Sequence, residues 1–189
     1  MSNQENQTYI PFEQISLSSL GVFMLYGPIE INLAYAACEF IIKANRLQFE
    51  NDLSLLINSE GGVVTDGFSI IDAMVHSRIP VSTTSTGLIA SMGLLIACAG
   101  EKGERYITRN TEVMAHQFAG MASGKYHEMV AVHKQNDQLA RKIVKHFKTH
   151  STMDEKTIKD VLFGATDRYL TPNECKKYGL CDQVIEYVS

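Results

Sequence analysis

Short, largely apolar runs alternate with helically spaced ones along most of the chain. GVFML (21–25) and LSLLIN (53–58) have strand length and a buried character. Between them, residues 32–47 (NLAYAACEFIIKANRL) place apolar residues three and four apart, which predicts a helix. The alternation continues with a helix over 63–77 and a strand over 80–86, the latter on its Val and Thr content. LIASMGLLIACAG (88–100) then reads as a helix ending near Gly100. Strands follow over 105–109 and 112–117, a long helix over roughly 125–149 with one polar face, a helix over about 153–163, and a last strand over 181–188. A β-α-β-α-β-α order with a β-rich later part predicts an α/β fold with right-handed crossovers and a mostly parallel sheet. No linker, internal repeat or low-complexity segment interrupts it. The polar opening, residues 1–8, is expected to fray, and residues 9–189 are expected to form one domain.

Composition narrows the class. With 189 residues, 45% hydrophobic and 20% charged, the chain can bury the core of a single globular domain. A net charge of −4 and a pI near 5.9 argue against nucleic-acid binding through a broad basic surface. The densest basic cluster, RKIVKHFK (141–148), reads as a solvated helix face. Cys38, Cys98, Cys175 and Cys181 form no CxxC pair, so neither a zinc site nor a disulfide framework is expected. Reduced thiols fit a reducing compartment such as the cytoplasm. The opening MSNQENQ lacks the apolar core of a signal peptide. Residues 80–100 carry no charge and are long enough to span a bilayer, but VSTTST and Gly87 favour a strand, a turn and a buried helix.

Two places share one local grammar, in which small residues join a strand to a helix. In NSEGG (58–62), two glycines after a buried strand allow a positive φ or a close approach to a ligand, or simply a tight turn. In ASMG, Ser91 stands at a helix start, where it is either a cap or a nucleophile. Backbone amides at such a turn can stabilise an oxyanion. Serine chemistry needs a base, a carboxylate to orient it, and two N–H donors. Ser91 is the candidate nucleophile, and the amides of Met92 and Gly62 are the candidate donors. Of six histidines, His76 ends a helix, and His127, His133, His146 and His150 lie on or near a polar helix, where solvation is expected. His116 ends an apolar strand and is as well placed for the core as for catalysis. Asp154, Asp160, Asp167 and Asp182 all lie downstream, and spacing does not choose among them.

INSEGG, GLIASMG, VMAHQ and TDRYLTPNECKKYGLCD, in that order and at fitting separations, resemble the landmarks of the ClpP peptidase family from about Gly27 to Val184. DGFSIIDAM (66–74) is similar to the family's helix between the first two. The resemblance implies a ClpP/crotonase-like spiral of βαβ units with a protruding helical handle, here the helix from about 125. It implies Ser91 as nucleophile, His116 as general base, Asp167 as orienting carboxylate, and Gly62 and Met92 as oxyanion donors. It implies a serine endopeptidase that hydrolyses unfolded polypeptides in a chamber of stacked seven-membered rings. A AAA+ unfoldase of the Clp type would feed the chamber and spend the ATP. The peptidase itself would need no metal or cofactor, and neither nucleic acid nor membrane is expected as a partner.

The chain departs from the family pattern in places. The stretch between Pro11 and Pro28 is short, where the family has its axial loop and first helix. Glu60 and Phe118 stand where prolines are usual, and Ala165 and Thr166 where an acidic residue and an arginine are common. These departures fit a divergent member, such as a phage or an organelle encodes, placed in cytoplasm, host cytoplasm or an organelle matrix. Two other readings compete. A non-catalytic structural subunit of a mixed ring would have lost triad members, and this chain keeps all three. A crotonase-like acyl-CoA enzyme would share the spiral but use acidic residues.

Overall fold

A computed structural model describes residues 15–117 and 125–186. After a short 3₁₀ turn at Leu17–Leu20 come β1 (Val22–Tyr26), α1 (Ile31–Arg46), β2 (Leu53–Ser59), α2 (Val64–Val75), β3 (Val81–Ala90) and α3 (Met92–Cys98). Then follow β4 (Arg105–Thr108), β5 (Glu112–Ala115), α4 (Tyr126–His150), α5 (Glu155–Leu162), β6 (Arg168–Leu170), α6 (Pro172–Lys177) and β7 (Gln183–Ile185). The main sheet runs β1-β2-β3-β4-β7 with every pairing parallel. The alternating α/β order and parallel ladder expected from the sequence are therefore present. The expected frayed N-terminus, residues 1–8, lies outside the described residues.

β3 is the branch point. Its first half pairs with β4 through Thr83–Ser85, and its second half pairs with β5 through Leu88–Ala90. The sequence expectation of a helix from residue 88 is corrected here. Leu88–Ala90 continue the strand, and helix begins only at Met92. Gly87, at φ +59, bends the strand without ending it, and the Asn58 Oδ1 accepts the Leu88 N–H at 3.1 Å across the bend. A short apolar run has no period of its own, so the β5 ladder decided its form. Two elements were not foreseen. β6 is three residues long and antiparallel to β5, and α6 is a six-residue helix capped by Thr171 and Glu174.

The core lies where α1, α2 and α3 cover one face of the sheet. Leu25, Leu55, Ile57, Ile70, Met92, Leu94 and Ile96 are all buried there. All seven residues of α3 are buried. Those of α4 that are buried, Ile143, His146 and Phe147, lie in the last third of this 25-residue helix, and Leu139 packs against the core one turn earlier.

An ion pair between a buried arginine and a partly buried aspartate fastens the C-terminal half. Arg105 on β4 is 5% exposed and donates from Nε and Nη2 to both oxygens of Asp182, at 2.8 and 2.6 Å. The Gly103 and Arg105 amides add bonds to the same carboxylate at 2.8 and 3.1 Å. Burial alone would raise the Asp182 pKa, but these bonds outweigh it and hold the carboxyl below its ordinary value. The Arg105 Nη1 also donates to the Cys98 and His150 carbonyls, tying the ends of α3 and α4 to the sheet. Cys98, Cys175 and Cys181 are buried free thiols, and desolvation pushes Cys98 up to about 12.

Candidate active site

Ser91 occupies the turn between β3 and α3 with φ 51 and ψ −119. Only it and Gln48 among the described non-glycine residues have positive φ. Such a conformation costs roughly 1–3 kcal/mol and persists only where neighbours over-determine it. The Ser91 N–H donates to the Met114 carbonyl of β5 at 3.2 Å, and the Leu95 N–H donates to the Ser91 carbonyl at 3.3 Å. Gly93 lets α3 lie against β2, because a Cβ there would sit 2.7 Å from the Ser59 carbonyl oxygen. The Ser91 side chain makes no capping bond. Capping therefore does not explain the serine, and its half-buried hydroxyl is left without a structural task.

The glycine pair of NSEGG meets this turn. A Cβ on Gly61 would lie 2.7 Å from the Ser91 Cβ and 2.9 Å from the Met92 amide nitrogen, so only glycine allows this approach. The loop is held from behind: Ile29 donates to the Gly61 carbonyl and accepts from the Val63 N–H, both at 2.8 Å. Gly62 lies between these two bonds and forms an isolated bridge with Ile29. Among the described residues, neither the Gly62 nor the Met92 N–H has an acceptor. The Met92 amide is one of the donors that the start of any helix leaves unsatisfied.

His116 directly follows β5 and is half-buried; Asp167 directly precedes β6 and is exposed. β3, β5 and β6 are neighbours in that order. β5 and β6 pair Ala115 with Arg168, so the next rung would set His116 opposite Asp167. The three residues thus sit at one end of three adjacent strands, the C-terminal end of β3 and β5, where open α/β sheets bind ligands. Among the described residues no hydrogen bond joins Ser91 to His116 or His116 to Asp167.

The other candidates have different tasks. Asp154 caps α5 through the Thr157 N–H at 2.7 Å, and Asp182 holds Arg105. Asp160 is exposed on α5. His76, His127 and His133 are exposed, as expected. His146 and His150 correct the expectation of solvation. His146 is 7% exposed, its Nε2–H donating to the Leu95 carbonyl at 2.8 Å, and His150 is half-buried against it. Both histidines were read with the polar face of α4, whereas His146 lies on its buried face with Ile143 and Phe147.

Sequence reasoning missed the role of Asn58, which pins the β3 bend, although it is the last residue of the predicted strand. It also missed a largely apolar cavity of about 380 Å³ lined by Gln117, Ala140, Ile143, Val144, Lys159 and Phe163. Gln117 is the neighbour of His116, and its Nε2 donates to the Phe163 carbonyl at 2.8 Å. Glu60, Ala165 and Thr166 are exposed, and Phe118 lies outside the described residues. Among the described residues no group of three or more His, Cys, Asp or Glu is placed to hold a metal, and no helix is long and apolar enough to cross a membrane.

A mostly parallel βαβ fold with a strained serine at a strand–helix turn belongs to the class of α/β proteins that includes serine peptidases. The family model for Clp protease matches residues 3–188, and the chain belongs to the Clp protease family.

Proposed function

We propose that this chain is a serine endopeptidase that hydrolyses unfolded polypeptides inside a ring assembly supplied by an ATP-dependent unfoldase. Ser91 is the nucleophile, His116 the general base and Asp167 the carboxylate that orients it. The observation that carries the reading is the Ser91 turn itself. A serine is held at φ 51 with no capping bond, beside two unpartnered amides.

In the reaction, His116 takes the Ser91 proton as Oγ attacks the scissile carbonyl. The carbonyl electrons move to oxygen, and the Gly62 and Met92 N–H groups stabilise that oxyanion. His116 then protonates the leaving amine, and water hydrolyses the acyl-enzyme by the same steps. Asp167 stabilises the imidazolium and fixes its tautomer. Triad hydrogen bonds tighten in productive complexes, so the open arrangement in the lone chain fits a site completed by assembly or substrate. The apolar cavity beside Gln117 suits an apolar substrate side chain.

Ring assembly has support on the surface of the chain. Ile31, Tyr35 and Ile42 expose 67, 66 and 55% of their area along α1, while Met24, Tyr26 and Ile185 are exposed on strands. Exposed apolar residues at separate places on one chain, along α1 and on the two edge strands β1 and β7, favour head-to-tail contacts, which close into rings. The test is hydrolysis of a fluorogenic peptide by the purified assembly, wild type against Ser91→Ala. Hydrolysis that vanishes in the variant, with particle size unchanged, is the expected result. Hydrolysis at near the wild-type rate would overturn the nucleophile assignment.

A further inference from the structure

His146 is a buried polar residue in a place where an aliphatic side chain would pack. It sits on α4 between the edges of the Phe68 and Phe147 rings, with centroids 6.3 and 5.7 Å away, and the His150 ring at 4.6 Å. Its one polar contact is the bond from Nε2–H to the Leu95 carbonyl at 2.8 Å. That carbonyl already accepts the Ala99 N–H at 3.2 Å, so the helix does not need the histidine to satisfy it. A buried group that breaks local economy without a stability reason points to function.

The bond leads to the nucleophile. Leu95, which accepts from His146, donates its own N–H to the Ser91 carbonyl. Ser91 in turn donates to the Met114 carbonyl, two residues before His116. The chain of contacts therefore runs from the handle helix through one turn of α3 to the strained serine and on to the strand that carries the base. α3 has only seven residues, too few to hold its own direction by internal bonds. Gly67 and Gly93 set its approach to α2 and β2, Thr83 and Arg105 hold the Ala97 and Cys98 carbonyls at its C-terminal end, and His146 joins its middle to α4.

We propose that His146 is a positioning residue for the Ser91 nucleophile: its Nε2–H fixes α3, and with it the Ser91 turn, to the handle helix. This rests on the assignment of Ser91 as nucleophile.

The experiment compares the wild-type assembly with His146→Leu and His146→Gln. Leucine keeps the apolar volume and removes the donor; glutamine retains a donor near the Nε2 position. Each is measured for particle size, melting temperature, fluorogenic-peptide kcat and KM, and the rate of fluorophosphonate labelling. A misplaced nucleophile lowers kcat without changing KM, and displacements on the ångström scale cost up to about 10²-fold. We expect His146→Leu to assemble and melt no lower than wild type, with kcat and labelling at least about tenfold slower and KM unchanged. His146→Gln should recover most of that loss. Three results overturn the proposal: equal rates in His146→Leu and wild type, loss of rate only in step with loss of assembly or melting temperature, or no recovery in an assembled His146→Gln. A wild-type particle that neither labels nor cleaves would instead defeat the underlying assignment of Ser91.

Discussion

Ala115 and Arg168 face each other across the antiparallel β5–β6 ladder, and that rung sets the place of the proposed base and its proposed carboxylate. One step further along the register stand His116 and Asp167. Asp167→Asn should then be severe but incomplete, because it disturbs the tautomer and orientation of His116 and leaves the nucleophile in place. Asp160→Asn, on the exposed face of α5, should change peptide hydrolysis little. Steady-state rates for the two variants decide between the carboxylates; the reverse order would reject Asp167.

His116→Ala should lower kcat by several orders of magnitude and leave the particle intact, since the residue is half-buried and bonded to nothing structural among the described residues. Peptide kinetics alongside size-exclusion chromatography check this. A modest loss of rate would move the base elsewhere.

Gly61→Ala should abolish activity before it abolishes folding. Its Cβ would press on the Ser91 Cβ at 2.7 Å, and the glycine φ of +93 disfavours any side chain. The loop and the Ser91 turn must separate, which takes the proposed oxyanion donors, the Gly62 and Met92 amides, out of place. Loss of cleavage with a circular dichroism spectrum like that of wild type is the expected outcome.

Acid should destabilise the fold through α4. Burial first, and the His150 charge second, lower the His146 pKa from 6.5 to about 4. His150 is lowered in the same direction by burial and by Arg105. A base whose folded pKa is depressed binds more protons when unfolded, so its cost is absent above about pH 6.5 and grows as pH falls towards 4. For His146 the full loss is on the order of 3 kcal/mol. Denaturant melts from pH 7 to 4 should show wild type losing more stability than His146→Leu, and parallel curves would contradict it.

Breaking the Arg105–Asp182 pair should cost more than most substitutions. Arg105→Ala leaves Asp182 without its bidentate partner and frees the ends of α3 and α4. Because Asp182 is only partly buried, the loss falls below the roughly 3–5 kcal/mol of a fully buried pair and is readable as a shifted denaturant midpoint.

Much of this was legible in the sequence, and the failures have physical causes. The β-α alternation of the first half emerged because buried parallel strands and amphipathic helices carry distinct patterns. Leu88–Ala90 was misread because three apolar residues have no period, and only the distant β5 decided their conformation. His146 was misread because it was taken with the polar face of α4, whereas it lies on the buried face with Ile143 and Phe147. β6 was missed because three residues, two of them exposed, carry no alternation. Ser91 and the Met92 and Gly62 amides were legible as candidates from their place between strand and helix. The positive φ, the empty capping role and the lack of an acceptor for either amide needed the fold.

The most direct test of the central claim is fluorophosphonate labelling of the native-sized particle, with the adduct mapped by peptide mass spectrometry. A single adduct on Ser91, absent from Ser91→Ala, is the predicted result. An intact particle with no adduct, or with one on another serine, would contradict it.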